Sequence, residues 1–152
     1  MSLTKKQKVV PILIDSYIAI IKNSVGSQLF RNLYAKVNGK KIDITKNGKL
    51  SCAFYVSSVL LLFKLIKGIH ATVNGTVKDL KKFGWAEIKK PKIGCVLVWK
   101  ETDFGNHSLH KHIGFYLGNG KAISNNFKTE YPTEHNWKIR EIESILWNPL
   151  LK

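Results

Sequence analysis

The chain has 152 residues, of which 44% are hydrophobic and 4 are prolines, and these values fit one folded domain and exclude a disordered chain. It carries 25 Lys+Arg residues against 10 Asp+Glu residues, a formal net charge of +15, which predicts attraction to anionic polymers or surfaces. Arg31 and Arg140 are the only arginines, so the sequence argues against recognition that depends on many bidentate guanidinium contacts.

The sequence predicts neither a signal peptide nor a membrane-spanning segment. Lysines precede an apolar run over 9–14, but Asp15 interrupts it and no small-residue cleavage site follows. A second apolar run over 56–66 contains Lys64 and is far shorter than a membrane span. Composition by itself assigns neither a compartment nor an oligomeric state.

The first third of the chain is predicted to be mainly helical. Apolar residues at a spacing of three to four over 9–22 predict an amphipathic helix. A second short helix is expected over 28–35, followed by a hairpin-type turn at 38–41. Another turn over 46–49 would lead into the next helix.

Residues 50–63 are apolar or small almost throughout and are predicted to form the central helix of the fold. A helix that is apolar on all sides belongs inside a core, and Gly68 is expected to end it. Ser51 is the expected N-cap, which places Cys52 in the first turn among the backbone N–H groups. The positive end of the helix dipole favours a thiolate there, as a nucleophilic cysteine requires.

The middle of the chain changes from helix to strand. A short helix is expected over 76–83, with Thr76 as its cap. The β-branched and apolar residues 95–99 predict a core strand. The polar residues 101–110 are expected to form a loop.

A hairpin and one further element complete the prediction. We predict a hairpin of two strands, residues 112–117 and 122–125, joined by a turn at Asn119-Gly120. An Asn-Gly pair between two strand-like segments is the strongest short hairpin signal. Residues 141–147 read as a strand or a short terminal helix. Helices first and strands afterwards indicate an α+β fold in a single domain over 1–152, with a helical part at about 9–70 and a sheet part at about 93–150.

Cys52 is the candidate nucleophile of a cysteine hydrolase, which needs a thiolate, an imidazole base and a polar group that orients the imidazole. His70 lies beyond the far end of the Cys52 helix and is a poor base. His112 opens a strong strand, a rigid element able to hold an imidazole in place. The remaining histidines are expected to be solvated in polar loops: His107, His110 and His135.

The register of the hairpin decides which residue orients His112. With a two-residue loop at Asn119-Gly120, Asn125 shares the His112 face of the sheet, and its amide carbonyl can accept the imidazole N–H. With an odd-numbered loop, Ser124 and Asn126 share that face instead. Asn125 is the first choice and Ser124 the alternative.

A metal site is the competing interpretation of the histidines. His107, His110 and His112 lie close together in sequence, and the period-2 spacing puts His110 and His112 on one strand face, which is compatible with two ligands. Acidic ligands are sparse nearby, at Glu101 and Asp103, and a metal would leave the helix-borne cysteine without a role. We therefore expect no metal and no cofactor.

Three blocks in order, residues 52–56, 91–99 and 112–121, resemble the NlpC-like and CHAP-type papain-like cysteine peptidases. The resemblance implies a papain-like fold, in which a core helix carrying the cysteine packs on a C-terminal antiparallel sheet. It also implies cleavage of amide bonds in peptidoglycan, as a stem-peptide endopeptidase or an N-acetylmuramoyl-L-alanine amidase, and a secreted or cell-wall location. Tyr34 resembles the tyrosine that many members use near the thiolate and the oxyanion.

The sequence also departs from that family at three positions. Ser51 stands where Asp or Gln is usual, Phe54 replaces a glycine, and Cys95 stands where the strand usually begins with Asp. Two other interpretations therefore remain open. One is a non-catalytic papain-like module that binds polyanions through its lysines, and the other is an intracellular cysteine peptidase or acyltransferase.

Overall fold

The computed structural model describes residues 6–103 and 108–152. In these ranges the chain is a mixed α+β structure with helices, a two-stranded sheet and a six-stranded sheet. The helices are α1 Leu13–Asn23, α2 Cys52–Leu62 and α3 Val73–Lys82, followed by a C-terminal 3-10 turn at Pro149–Leu151. The strands are β1 Tyr34–Val37, β2 Lys40–Asp43, β3 Ala86–Glu87, β4 Val96–Asp103, β5 Leu109–Gly118, β6 Lys121–Asn125, β7 Pro132–Asn136 and β8 Ile142–Trp147.

The larger sheet is antiparallel, with strand order β3-β8-β4-β5-β6-β7. Helix α2 packs on one face of this sheet. The helix is apolar on nearly all sides, which favours such a buried position. The main core lies between the helix and the sheet and includes Tyr55, Val59, Val98, Ile113 and Phe115, all 0% exposed. The sequence prediction of a buried cysteine-bearing helix packed on a sheet is met in this coarse form.

The other face of the sheet carries a second, smaller core. Cys95, Leu97 and Trp99 are each 0% exposed, and Tyr116 and Trp137 pack against their cluster. The first half of the central strand β4, residues 96–99, is therefore buried on both faces, whereas its second half is exposed. Within the described ranges, no helix is long and apolar enough to cross a membrane.

The predicted helix over 28–35 is wrong. Residues 28–33 form turns and irregular backbone instead. Strand β1 then begins at Tyr34 and forms a hairpin with β2 at the predicted turn, where Asn38 and Gly39 have φ values of 50° and 79° that suit a tight turn. The Asp43 carboxylate fixes the end of this hairpin by accepting the backbone N–H groups of Leu33, Thr45 and Asn47. This local side-chain network outweighs the weak helical pattern.

Helix α2 ends six residues earlier than Gly68. Lys64 adopts φ 55°, and the N–H groups of Lys64 and Leu65 donate to the carbonyls of Leu61 and Leu60. This is the Schellman arrangement, here with lysine in the position that glycine usually occupies. The Gly68 prediction is therefore wrong, because a backbone motif without a glycine ends the helix.

Helix α3 also begins earlier than predicted. Its cap is Thr72 rather than Thr76, because the Thr72 hydroxyl accepts the backbone N–H of Gly75 at 3.0 Å. Thr76 instead lies inside the helix, where its hydroxyl donates to the Thr72 carbonyl at 2.8 Å.

The sheet is more extensive than the sequence predicted. The segment 101–110 was expected to be a loop, but Thr102 pairs with His110 and Asp103 with Leu109, so the pairing of β4 with β5 extends into this segment. The remainder of that prediction, over 104–107, lies outside the described residues. Strand β7 was missed altogether, since its residues alternate polar types rather than apolar ones. Residues 142–147 form a strand, which decides between the two forms expected there.

Candidate active site

Cys52 is the first residue of α2, and its side chain is partly buried. Ser51 occupies the N-cap position without a side-chain cap, because its hydroxyl donates to the carbonyl of Phe30 instead. Burial raises the pKa of the Cys52 thiol, while backbone N–H groups, first that of Ile113, and the charge of Arg140 act in the opposite direction. Burial dominates, so the resting side chain is a thiol rather than the thiolate expected from the helix dipole alone.

His112 lies within β5, paired with Trp99 of β4, and their rings are 5.3 Å apart. The backbone N–H of Ile113, the next residue, is the first of the backbone groups that lower the pKa of Cys52, and Cys52 and His112 line the same cleft. Burial, followed by the charges of Arg140 and His135, lowers the pKa of His112 to about 3. The imidazole is therefore neutral at pH 7 and able to accept a proton.

A hydrogen-bonded chain fixes the orientation of His112. Its Nε2 lies 2.8 Å from the Ser124 hydroxyl oxygen, and that oxygen lies 2.6 Å from Nε2 of His135. Nδ1 of His135 lies 2.9 Å from the carbonyl oxygen of Asn136. Ser124 is 2% exposed, so these contacts are largely shielded from water.

The protons in this chain can be assigned from what each atom is able to do. The carbonyl of Asn136 can only accept, so His135 carries its proton on Nδ1. The pKa of His135 is lowered, mainly by burial, so its ring is neutral and its Nε2 accepts the Ser124 O–H. The Ser124 oxygen then accepts Nε2–H of His112, which leaves Nδ1 of His112 as the basic atom.

The sequence analysis placed Asn125 beside His112, and the structure places it on the opposite face of the sheet. The loop at Asn119-Gly120 has two residues and Gly118 pairs with Lys121, as expected, but the register then shifts so that Tyr116 pairs with Ala122 and Gly114 with Ser124. One extra residue, a β-bulge, exchanges the faces of every later position.

Asn125 nevertheless lines the candidate site. It is 3% exposed, and its Nδ2 donates to the carbonyl of Gly48 at 2.7 Å. Its Oδ1 has no hydrogen-bond partner among the described residues. Tyr34, by contrast, is 60% exposed on β1, carries Lys41 over its ring and does not line the cleft.

Cys52, His112 and Ser124 face one cleft of about 800 Å³. Its other lining residues include Asn125, His135 and Arg140. Gly114 keeps the inner wall compact, because a Cβ there would lie 2.7 Å from the Cβ of Ser124 and 3.1 Å from the Trp99 ring. The missing side chain at Gly114 thus lets Trp99 and Ser124 close around His112.

Sequence reasoning missed two residues of this site, His135 and Arg140. His135 was expected to be solvated in a loop, but it lies on the unpredicted strand β7, 5.6 Å from the Trp99 ring. Arg140 precedes β8, and its charge acts on Cys52, His112 and His135. The rarity of arginine in this lysine-rich chain was the one available signal for Arg140.

The metal interpretation depended partly on His107, which lies outside the described residues. His110 is on β5, where its Nε2 lies 2.7 Å from the Ser108 hydroxyl. Within the ranges 6–103 and 108–152, no group of three or more His, Cys, Asp or Glu residues is arranged to hold a metal ion.

No protein-family model matches the chain, and no curated protein matches it.

Proposed function

We propose that the protein is a cysteine hydrolase with a papain-like fold that cleaves amide bonds. Cys52 is the nucleophile, His112 the general base and Ser124 the residue that orients His112. The observation that carries this proposal is the polar chain from His135 through Ser124, which leaves Nδ1 of His112 as the basic atom in the cleft of Cys52. A thiol and an oriented neutral imidazole in one cleft are the parts that acyl transfer requires.

The resting charges favour a reaction that begins from a neutral pair. The pKa of Cys52 is raised and that of His112 is lowered, so proton transfer accompanies attack rather than preceding it. Nδ1 of His112 takes the thiol proton as the sulfur attacks the amide carbonyl carbon. Backbone N–H groups at the start of α2 are available to stabilise the oxyanion that forms.

The second half of the reaction restores both groups. The His112 imidazolium gives its proton to the leaving amine, and a thioester remains on Cys52. Water then attacks the thioester, His112 takes a proton from that water, and the acid product leaves as the proton returns to sulfur. If an amine takes the place of water, the same residues perform acyl transfer, which is the acyltransferase alternative.

The substrate we propose is an amide bond of peptidoglycan, in the stem peptide or between muramic acid and alanine. The support is the resemblance of residues 52–56, 91–99 and 112–121 to the peptidases that cleave these bonds. The net charge of +15 adds attraction to an anionic cell wall.

The test is a digest of purified peptidoglycan and isolated muropeptides, with the products identified by mass spectrometry. We expect Cys52→Ala and His112→Ala to lose hydrolysis, and Cys95→Ala, which removes the other thiol, to retain it. Hydrolysis by Cys52→Ala at the wild-type rate would exclude the proposed nucleophile. The mass of the new termini identifies the bond that is cleaved.

A second candidate is a binding module that uses the same fold without catalysis. The raised pKa of Cys52 favours it, because a protonated thiol is less reactive. It predicts that the wild-type protein releases no products from peptidoglycan or muropeptides, and that it binds polyanions with an affinity that weakens steeply with salt.

A further inference from the structure

We propose, building on the hydrolase function above, that Arg140 binds a carboxylate of the substrate beside the scissile amide. The enzyme would then act on anionic acyl compounds in preference to neutral counterparts of the same shape. The inference starts from an arginine at the catalytic residues in a chain whose other basic residues, apart from Arg31, are lysines.

Arg140 stands where a group attached to the reacting carbonyl would pass. It lines the cleft that contains Cys52 and also an adjoining cavity of about 470 Å³ beside Trp137. Its charge acts on the Cys52 sulfur and on the His112 imidazole. An acyl group on the sulfur would therefore occupy the cleft that Arg140 lines.

The lining of the cleft suits an anion. Among the described residues it carries Lys49, Lys111, Lys128 and Arg140 against the single acidic residue Glu101. Arginine differs from the lysines in presenting a planar fork of N–H donors, which matches the two oxygens of a carboxylate. Arg140 is also partly buried, which lowers its pKa, and a negative charge on the Cys52 sulfur acts in the opposite direction, as a carboxylate in the same cleft would.

Binding of a carboxylate would also change the catalytic base. The groups around His112 are Trp99 on β4, Ser124 on β6, His135 on β7, Arg140 before β8 and Cys52 on α2. The positive charge of Arg140 opposes an imidazolium at His112. A carboxylate paired with Arg140 cancels that charge and so raises the pKa of His112. The correct substrate would therefore make His112 a stronger base for the thiol proton of Cys52.

The test uses two alkylating reagents of similar size, iodoacetate and iodoacetamide, which differ in charge. Peptide mapping by mass spectrometry follows modification of Cys52, and each rate is divided by the rate of a neutral model thiol with the same reagent. We expect wild-type Cys52 to favour iodoacetate about tenfold or more after this correction, the range for a charge-assisted hydrogen bond. Changes in thiolate population affect both reagents equally and cancel in the ratio.

Three variants test whether Arg140 causes the preference of Cys52 for iodoacetate over iodoacetamide. Arg140→Gln should bring it down to the model-thiol value, and Arg140→Lys, which keeps the charge and loses the fork, should give an intermediate value. Lys121→Gln removes a charge from β6, at a residue paired with Glu134 and outside the cleft, and should keep the wild-type ratio.

The outcomes separate this inference from the proposed function. Rapid alkylation without preference, or a preference that survives Arg140→Gln, overturns the role of Arg140 and leaves the nucleophile in place. A wild-type protein that hydrolyses neither peptidoglycan nor muropeptides but keeps the Arg140-dependent preference for iodoacetate removes the hydrolase function and keeps the anion site.

Discussion

Replacement of Ser124 by alanine tests the central geometric argument. The change removes the oxygen that accepts from Nε2 of His112 at 2.8 Å and donates to Nε2 of His135 at 2.6 Å. Both imidazoles then lose a partner in a site that excludes most water. Unsatisfied polar groups of this kind cost about 1–3 kcal/mol, so we expect the free energy of unfolding to fall by that amount.

The effect on catalysis has a separate cause. Without Ser124, nothing in the chain from His135 fixes the proton of His112 on Nε2, and part of the population carries it on the atom that should act as base. A loss of about 1.4 kcal/mol of transition-state stabilisation corresponds to a tenfold fall in kcat. We expect a decrease of about that size, with KM little changed because Ser124 is almost fully buried and its hydroxyl is already engaged by two imidazoles.

Ser57→Ala is the matched control. Ser57 is 0% exposed, donates to the Ala53 carbonyl at 2.7 Å and accepts the His70 N–H at 3.0 Å. Its loss should lower stability by a similar amount and leave kcat unchanged. Thermal unfolding and steady-state kinetics on both variants therefore distinguish positioning from stability.

The ring nitrogens provide the direct readout. Nitrogen-15 NMR of the wild-type protein should show His112 protonated at Nε2 and His135 protonated at Nδ1, and Ser124→Ala should give a mixture at His112. Finding His112 protonated at Nδ1 in the wild-type protein would refute the assignment, whatever the kinetics.

Three further predictions concern pH and stability. The pKa of His112 is about 3 in the folded protein against 6.5 in a model peptide. Between these two pH values the unfolded chain binds a proton that the folded protein does not, so the free energy of unfolding should fall as the pH drops from 6.5 to 3. Urea titrations should show a weaker pH dependence in His112→Asn. His135→Asn removes a group that, once protonated in acid, lowers the pKa of His112, so the acidic limb of the kcat/KM profile should move to higher pH, and an unmoved limb would contradict that coupling. Thr72→Ala removes the cap of α3 and should cost about 1 kcal/mol in chemical denaturation without changing kcat.

Most elements could be predicted because their signals are local. The apolar run of α2, the β-branched strand β4 and the Asn119-Gly120 turn each carry their pattern within a few neighbouring residues. The exceptions also have local causes that composition does not reveal. The Asp43 network replaces a predicted helix with a hairpin, and Lys64 ends α2 without a glycine.

The candidate site was harder to predict because its geometry depends on one irregular residue pair. The sequence supplied Cys52 and His112, together with a choice between Asn125 and Ser124. The loop length was right, but the bulge between Tyr116 and Gly118 exchanged the two faces of β6. His135 enters the cleft on β7, which pairs with the preceding strand β6 but lacks an alternating apolar pattern. Arg140 precedes β8, which pairs with β4 far earlier in the chain, and no local pattern marks such pairing.

The different burial of the two cysteines allows partial unfolding of this protein to be measured by thiol labelling. Cys52 borders the cleft, whereas Cys95 is 0% exposed on the far face of the sheet, and burial raises the pKa of its thiol to about 12. A reagent added to the native protein therefore labels the two thiols by different routes: Cys52 through the open cleft, and Cys95 after β4 and its neighbours separate. The labelling rate of Cys95 measures how often the sheet opens, independently of any substrate.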